Sequence, residues 1–206
     1  MTAMNTETLL HKLAEEFTDE YLGDRPQEFH QIGGLTVVSA LVFSSPDAQE
    51  WSGCDDVPAG THPVHIGVVR RQDAESGRES AHVTMALIPF ADPEAIAEAE
   101  FEDAIEDYQP LGPDHGFLWD STAMDALRFD GPRPDAFPDL DAFVAHVESE
   151  LATADAAGRI PAWVDVTVDE RTGVNVLAFP VNAESAGCYE ARDADGRLVA
   201  LLFTAS

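Results

Sequence analysis

Two runs of alternating apolar residues constrain the fold of this chain more than any other feature. Val64, Ile66 and Val68 alternate with His65, Gly67 and Val69, and Val83, Met85 and Leu87 alternate in the same way. Glu75-Ser76-Gly77-Arg78 lies between the two runs. A period of two puts one set of side chains on one face of an extended chain, so the pair predicts an antiparallel hairpin. Upstream, Leu35–Phe43 reads LTVVSALVF and ends at Ser44-Ser45-Pro46-Asp47. Its unbroken, β-branched character predicts a single strand buried on both faces. Asp55-Asp56-Val57-Pro58-Ala59-Gly60 has the chemistry of a turn. Three more strand-like runs, Trp163–Val168, Val174–Pro180 and Leu198–Phe203, close the chain, with turns at Thr172-Gly173 and Asp193-Ala194-Asp195-Gly196.

Helical spacing appears in three places. Thr6 is the expected N-cap of a first helix whose apolar stripe is Leu9, Leu10, Leu13 and Phe17, with Gly23 as its stop. Asp92-Pro93-Glu94 starts a second, acidic helix running to Asp107, in which Ile96, Ala99, Phe101, Ala104 and Ile105 pack. A third runs from about Asp139 to Asp155 on Leu140, Phe143, Val144, Val147 and Leu151, and Gly158 ends it. Pro132, Pro134 and Pro138 stiffen the connection before it. Helices and strands do not alternate, which predicts α+β rather than a doubly wound parallel sheet. The expectation is one domain over 1–206, with a mainly antiparallel, sandwich-like β core, about three packed helices, and late strands completing an early sheet.

Charge restricts function. The 206 residues include 39 Asp and Glu against 11 Lys and Arg, a formal charge of −28. Lys12 is the one lysine, and Arg70-Arg71 is the only adjacent pair of basic residues. Phosphate neutralisation needs clustered cations, so nucleic acid and anionic membrane surfaces are not expected partners. No apolar run reaches the roughly 18–20 residues needed to span a bilayer. The charges between Met1 and Tyr21 break any signal-peptide core, so the expected location is the cytoplasm. For Cys54 and Cys188, two free thiols are then expected rather than a disulfide.

Neither cysteine belongs to a CxxC pair, and no HExxH, P-loop, GxGxxG or GxSxG is present, so no cofactor is expected. His62 and His65 are three apart, an odd spacing that on a strand sends side chains to opposite faces. Even with His82 nearby the ligand set is incomplete, and no metal site is expected. Asp114, His115, Asp120 and Asp125 surround a short apolar stretch in what reads as a loop. His115 as base, with Asp120 and Asp125, forms the candidate catalytic set, provided the two carboxylates have different environments. The competing reading makes Asp120 the cap of the turn into Ser121–Leu127. On the acidic helix, Glu94, Glu98, Glu102, Asp103, Glu106 and Asp107 are the candidate contacts for a basic partner, with Phe101 and Tyr108 as edge anchors.

Three segments carry a family resemblance. Val57-Pro58-Ala59-Gly60-Thr61-His62-Pro63-Val64 resembles a V-P-x-G-x-(Y)-P-V turn entering a strand. Gly116-Phe117-Leu118-Trp119-Asp120-Ser121-Thr122-Ala123-Met124-Asp125 resembles a (V)-D-A-G-T…D segment. Gly187 to Val199 resembles a G-x-Y-P-x-x-(W)-G-x-D-x-x-G-R-x-V tail. In that order they are similar to the bacterial family catalogued as domain of unknown function 4241, over about residues 35–206, with an N-terminal helix (1–24) outside it. The chain departs from that family in two places. Pro180–Gly187 stands where members usually show Ser-Gly-Trp-Gly-Asp-Gly, and Thr204-Ala205-Ser206 replaces a terminal Asp-Phe. The resemblance implies a β-rich fold and a bacterial origin, and no particular activity.

The leading expectation is a non-catalytic, immunity- or inhibitor-like partner of a basic protein such as a nuclease toxin, attracted by electrostatic steering. A small hydrolase or ligand-binding enzyme built on the His115 loop is the alternative from another class. A third is an acid-rich, halophile-like housekeeping protein whose charge serves solvation.

Overall fold

A computed structural model of the chain describes residues 4–18, 25–44, 54–72, 77, 79–104, 115–128, 137–159, 161–181 and 186–205. The fold is α+β. Its strands are β1 (Gln27–Val37), β2 (Val42–Phe43), β3 (Gly60–Gln72), β4 (Glu79–Pro89), β5 (Glu100–Asp103), β6 (His115–Asp120), β7 (Val164–Asp169), β8 (Val174–Pro180), β9 (Ala186–Arg192) and β10 (Leu198–Ala205). The helices are α1 (Thr6–Phe17), α2 (Pro93–Glu98), α3 (Ser121–Arg128) and α4 (Leu140–Ala156). One antiparallel sheet has the order β1-β3-β4-β10-β9-β5, and the other β2-β6-β8-β7.

The alternation of side chains explains how these elements stack. On β8, Leu177 and Phe179 face one core with Ile66, Val68, Ile88, Leu201 and Phe203 of the larger sheet. Val174, Val176 and Ala178 face another, with Phe117 and Trp119 of β6, under Ala123 and Leu127 of α3 and Phe143, Val147 and Leu151 of α4. On the far side of the larger sheet, Met85, Leu87, Val199 and Leu202 lie under Leu9, Leu10 and Leu13 of α1 and Ile96 of α2. The result is four layers: helices, six-stranded sheet, four-stranded sheet, helices. Each sheet is covered on both faces, which is why all eight residues of β10 are buried. Burying each large aliphatic side chain there contributes about 1.5–3 kcal/mol.

The predicted hairpin forms as β3 and β4, with Ile66 opposite Ala86 and Gly67 opposite Met85. Its connecting residues 73–76 and 78 lie outside the described residues. Asp92 caps α2 through Glu94 N and Ala95 N, with Pro93 in the first turn. Asp139 caps α4 through Ala142 N. That helix ends as expected at Gly158, whose positive φ of 77° sets up the bonds from Gly158 N to Asp155 O and from Arg159 N to Ala154 O. The N-cap of α1 is Asn5 rather than Thr6, through Thr8 N at 2.8 Å, and Gly23 lies outside the described residues.

Two elements correct the sequence reading. Leu35–Phe43 is not one strand. The chain leaves the larger sheet at Val37, turns with Ala40 at φ 61°, and joins the smaller sheet at Val42. The proposed acidic helix to Asp107 ends after Glu98, because Ala99 is extended and residues 100–103 pair with β9. A continuous helix would stack Glu94, Glu98 and Glu102 at successive i,i+4 positions, where like charges repel. The strand instead supplies backbone hydrogen bonds to β9 and sets Glu100 opposite Arg192, although Glu102 then stands opposite Glu190. The chain also forms strand structure in the first half of β1, in β6 and in β9, where the sequence shows no clear strand pattern.

Candidate functional site

Asp120 ends the buried strand β6 and is itself fully buried. Its Oδ2 accepts hydrogen bonds from Val38 N at 2.9 Å, Ser39 N at 2.8 Å and Ser39 Oγ at 2.7 Å. Its Oδ1 accepts from Thr122 N at 2.8 Å, at the start of α3. One carboxylate thus holds the turn between β1 and β2 and caps the helix that follows it. This is the capping role, enlarged to a junction between sheets. A second polar group, Asn175, clamps the same strand lower down. Its Oδ1 accepts from Thr36 N at 2.9 Å, and its Nδ2 donates to Gly34 O and to Asp165 Oδ1.

The candidate catalytic set does not assemble. His115 and Asp120 are at opposite ends of one strand, about 17 Å apart at the usual rise per residue. Asp125 is exposed on α3, and Asp114 lies outside the described residues. The expected loop is instead a strand running into a helix, since Phe117 and Trp119 complete the helix-facing core.

His115 nevertheless opens onto a cleft. Its Nδ1 is 4.0 Å from Glu148 Oε1 of α4. A cavity of about 240 Å³ is bounded there by His82, His115, Glu148, Leu151, Asp155 and Pro180, among others. Glu148, Leu151 and Asp155 share one helix face by their spacing. That spacing was visible in the sequence, but its meeting with β4 and β6 was not.

The acidic segment is exposed almost throughout. Asp92, Glu94, Glu98, Glu100, Glu102 and Asp103 all face solvent along α2 and β5. Among the described residues none of these six reaches a cation within ion-pair distance. Lys12 Nζ instead donates to Ala97 O at 2.7 Å, and Arg192 pairs with Glu190 at 2.7 Å. β5 is the last strand of its sheet and pairs only with β9, so its outer edge has no strand partner among the described residues. Phe101 is half-buried and packs against Phe17, at 5.2 Å between rings, at the rim of the core under α1. Glu106, Asp107 and Tyr108 lie outside the described residues.

The histidines are dispersed. His62 Nε2 contacts Pro58 O at 2.6 Å, and His82 pairs across the hairpin with Val69, four residues on from His65. Among the described residues no group of three or more His, Cys, Asp or Glu is arranged to hold a metal ion. His65 lines a separate hollow of about 420 Å³ with Glu7, His11, Gln27 and His30. Burial pushes its imidazole below the ordinary value of 6.5. In the unfolded chain His65 therefore takes up its proton first as pH falls, and stability is lost from about pH 6.5 down to the folded value. His65→Gln is expected to flatten that part of the stability curve relative to wild type between pH 7.5 and 5. Parallel curves from denaturant titrations would contradict this.

No family model, no curated protein and no solved structure matches this chain. The resemblance noted above rests on its three segments alone. In the structure these are the entry to β3, the β6–α3 junction and the β9–β10 hairpin. Among the described residues no helix is long and apolar enough to cross a membrane.

Proposed function

We propose that this is a cytoplasmic, non-catalytic binding protein that captures a basic protein partner, in the manner of an immunity or inhibitor protein, on the ridge formed by α2 and β5. The observation that carries the reading is the coincidence of six exposed carboxylates, none within ion-pair distance of a cation among the described residues, with an edge of β5 that has no strand partner among them. An open edge supplies backbone donors and acceptors for an added strand, and the flanking acids favour a basic segment while repelling acidic ones. Charge on an edge strand also discourages self-pairing, a role compatible with capture of a partner of opposite sign.

Reversing Glu94, Glu98, Glu102 and Asp103 to Lys is expected to slow association tenfold or more at low salt and to weaken its salt dependence. The test is capture from native lysate at about 50 mM and about 500 mM salt, which bracket weak and strong screening. The reading expects one basic protein retained by wild type at low salt and weakened at high salt. The ridge variant should lose it, while a variant with Glu15, Glu16, Asp141 and Glu150 reversed to Lys should keep it. Equal retention by both variants would remove the ridge. A blank at both salts would remove constitutive partner binding and turn attention to the His115 cleft as a small-ligand site. If acidity serves solvation alone, stability should instead climb steeply from low to molar salt, as screening relieves self-repulsion.

A further inference from the structure

We propose that Cys54 and Cys188 form a reversible intramolecular disulfide that staples the two sheets together. They are the only cysteines of the chain, 134 positions apart in sequence, yet their Sγ atoms lie 3.3 Å apart. Each is 2% exposed, within the core shared by the two sheets. A disulfide needs about 2.05 Å, so the sulfurs need to approach by only about 1.3 Å.

Their backbones belong to different layers. Cys54 stands opposite Val42 of β2, on the smaller sheet, held by Cys54 N to Val42 O at 2.8 Å and Val42 N to Cys54 O at 3.1 Å. Cys188 is on β9 of the larger sheet, opposite Phe203, and its carbonyl accepts from Ala104 N at 2.8 Å just beyond β5. A bond between them would close a loop of well over a hundred residues, the kind of cross-link that most restricts the unfolded chain.

The chemistry needs an oxidant, a low-molecular-weight disulfide of the glutathione class. The contact with Cys54, burial, and the negative charges of Glu190 and Asp103 all push the Cys188 thiol well up, so it is slow to become a thiolate. Cys54 is the first nucleophile on geometry: it is held by a single bridge to Val42, whereas Cys188 lies within β9 between β10 and β5. Cys54 is reached when its two backbone bonds to Val42 open. Its thiolate attacks one sulfur of the oxidant, forming a mixed disulfide and releasing one thiol. Cys188 then gives up its proton and attacks the Cys54 sulfur, releasing the second thiol. Two protein thiols are oxidised, one small disulfide is reduced, and the two protons leave on the two small thiols.

The inference is independent of the acidic ridge. Its test uses the full folded chain, incubated with excess oxidised glutathione, then unfolded and treated with an alkylating agent. The expected result is an intact mass lower by two hydrogens, a single linked pair of peptides containing Cys54 and Cys188, and no alkylated thiol. The melting temperature should rise by about 5–15 °C over the reduced protein and return with dithiothreitol. Cys54→Ala and Cys188→Ala should each lose that response. Two alkylated thiols, stable glutathione adducts, or dimers linked between chains would overturn the proposal. The mass measurement on wild type decides the matter whether or not the alanine variants fold.

Discussion

Asp120→Ala is expected to cost about 3–5 kcal/mol of folding stability, because it leaves a set of partly buried donors without their acceptor. The carboxylate is fully buried and accepts from Val38 N, Ser39 N, Ser39 Oγ and Thr122 N. Removing it unties the crossing from β1 to β2 and the start of α3 together. Ala40, at φ 61°, sits in that crossing in a conformation that L residues rarely adopt. Asp120→Asn should recover only part of the loss. One of its two positions becomes an NH₂ group that faces donors rather than acceptors. Urea titration of the three proteins provides the measurement, with an unchanged m value needed for the comparison. A loss under about 1 kcal/mol for alanine would show that the junction does not depend on this group. The same series separates structure from chemistry, since a general acid or base would be expected to tolerate asparagine in stability while losing turnover.

Gly116→Val should destabilise the fold by about 3 kcal/mol through overpacking. Gly116 lies opposite Phe179 in the β6–β8 ladder. A side chain there would run into the Phe179 ring, with Cε2 nearest, Cζ at 2.9 Å and Cδ2 at 3.0 Å from the added Cβ. That ring is fully buried in the core between the sheets. The diagnostic is a cycle with Phe179→Leu. Shrinking the ring alone leaves a cavity and costs stability, but the double variant should be more stable than the sum of the singles by about 1 kcal/mol or more. Simple additivity in melting or denaturant experiments would show that the two positions do not compete for the same space.

Much of the local structure was legible because it depends on near neighbours. Alternation at Val64–Val68 and Val83–Leu87 specified the hairpin, and Asp92-Pro93 and Asp139 marked helix starts through bonds spanning two or three residues. The failures occurred where a distant partner decided. Val38–Leu41 has the composition of a strand, yet Asp120, more than 80 positions away, holds it as a turn. Residues 100–103 suit a helix by composition, yet the edge of β9 offers them a ladder in which Glu100 stands opposite Arg192. β9 itself, with Gly187, Glu190 and Arg192, shows no clean alternation because both of its faces and both of its edges are in use.

The candidate site followed the same division. The acids of the ridge were evident, since exposure of a carboxylate is the default and needs no partner. His115, Asp120 and Asp125 looked like a set because they are close in sequence, but a strand between the first two carries them to opposite ends. The groups that do meet, His115 with Glu148 and Cys54 with Cys188, come from elements far apart in the chain. By itself, then, the sequence determined the element types with short-range signals and the net charge of −28. The stacking of two sheets between two helical layers, the crossing at Asp120 and the approach of the two thiols were decided only by tertiary structure. Packing and buried hydrogen bonding depend on which faces meet, and no local pattern of residues records that.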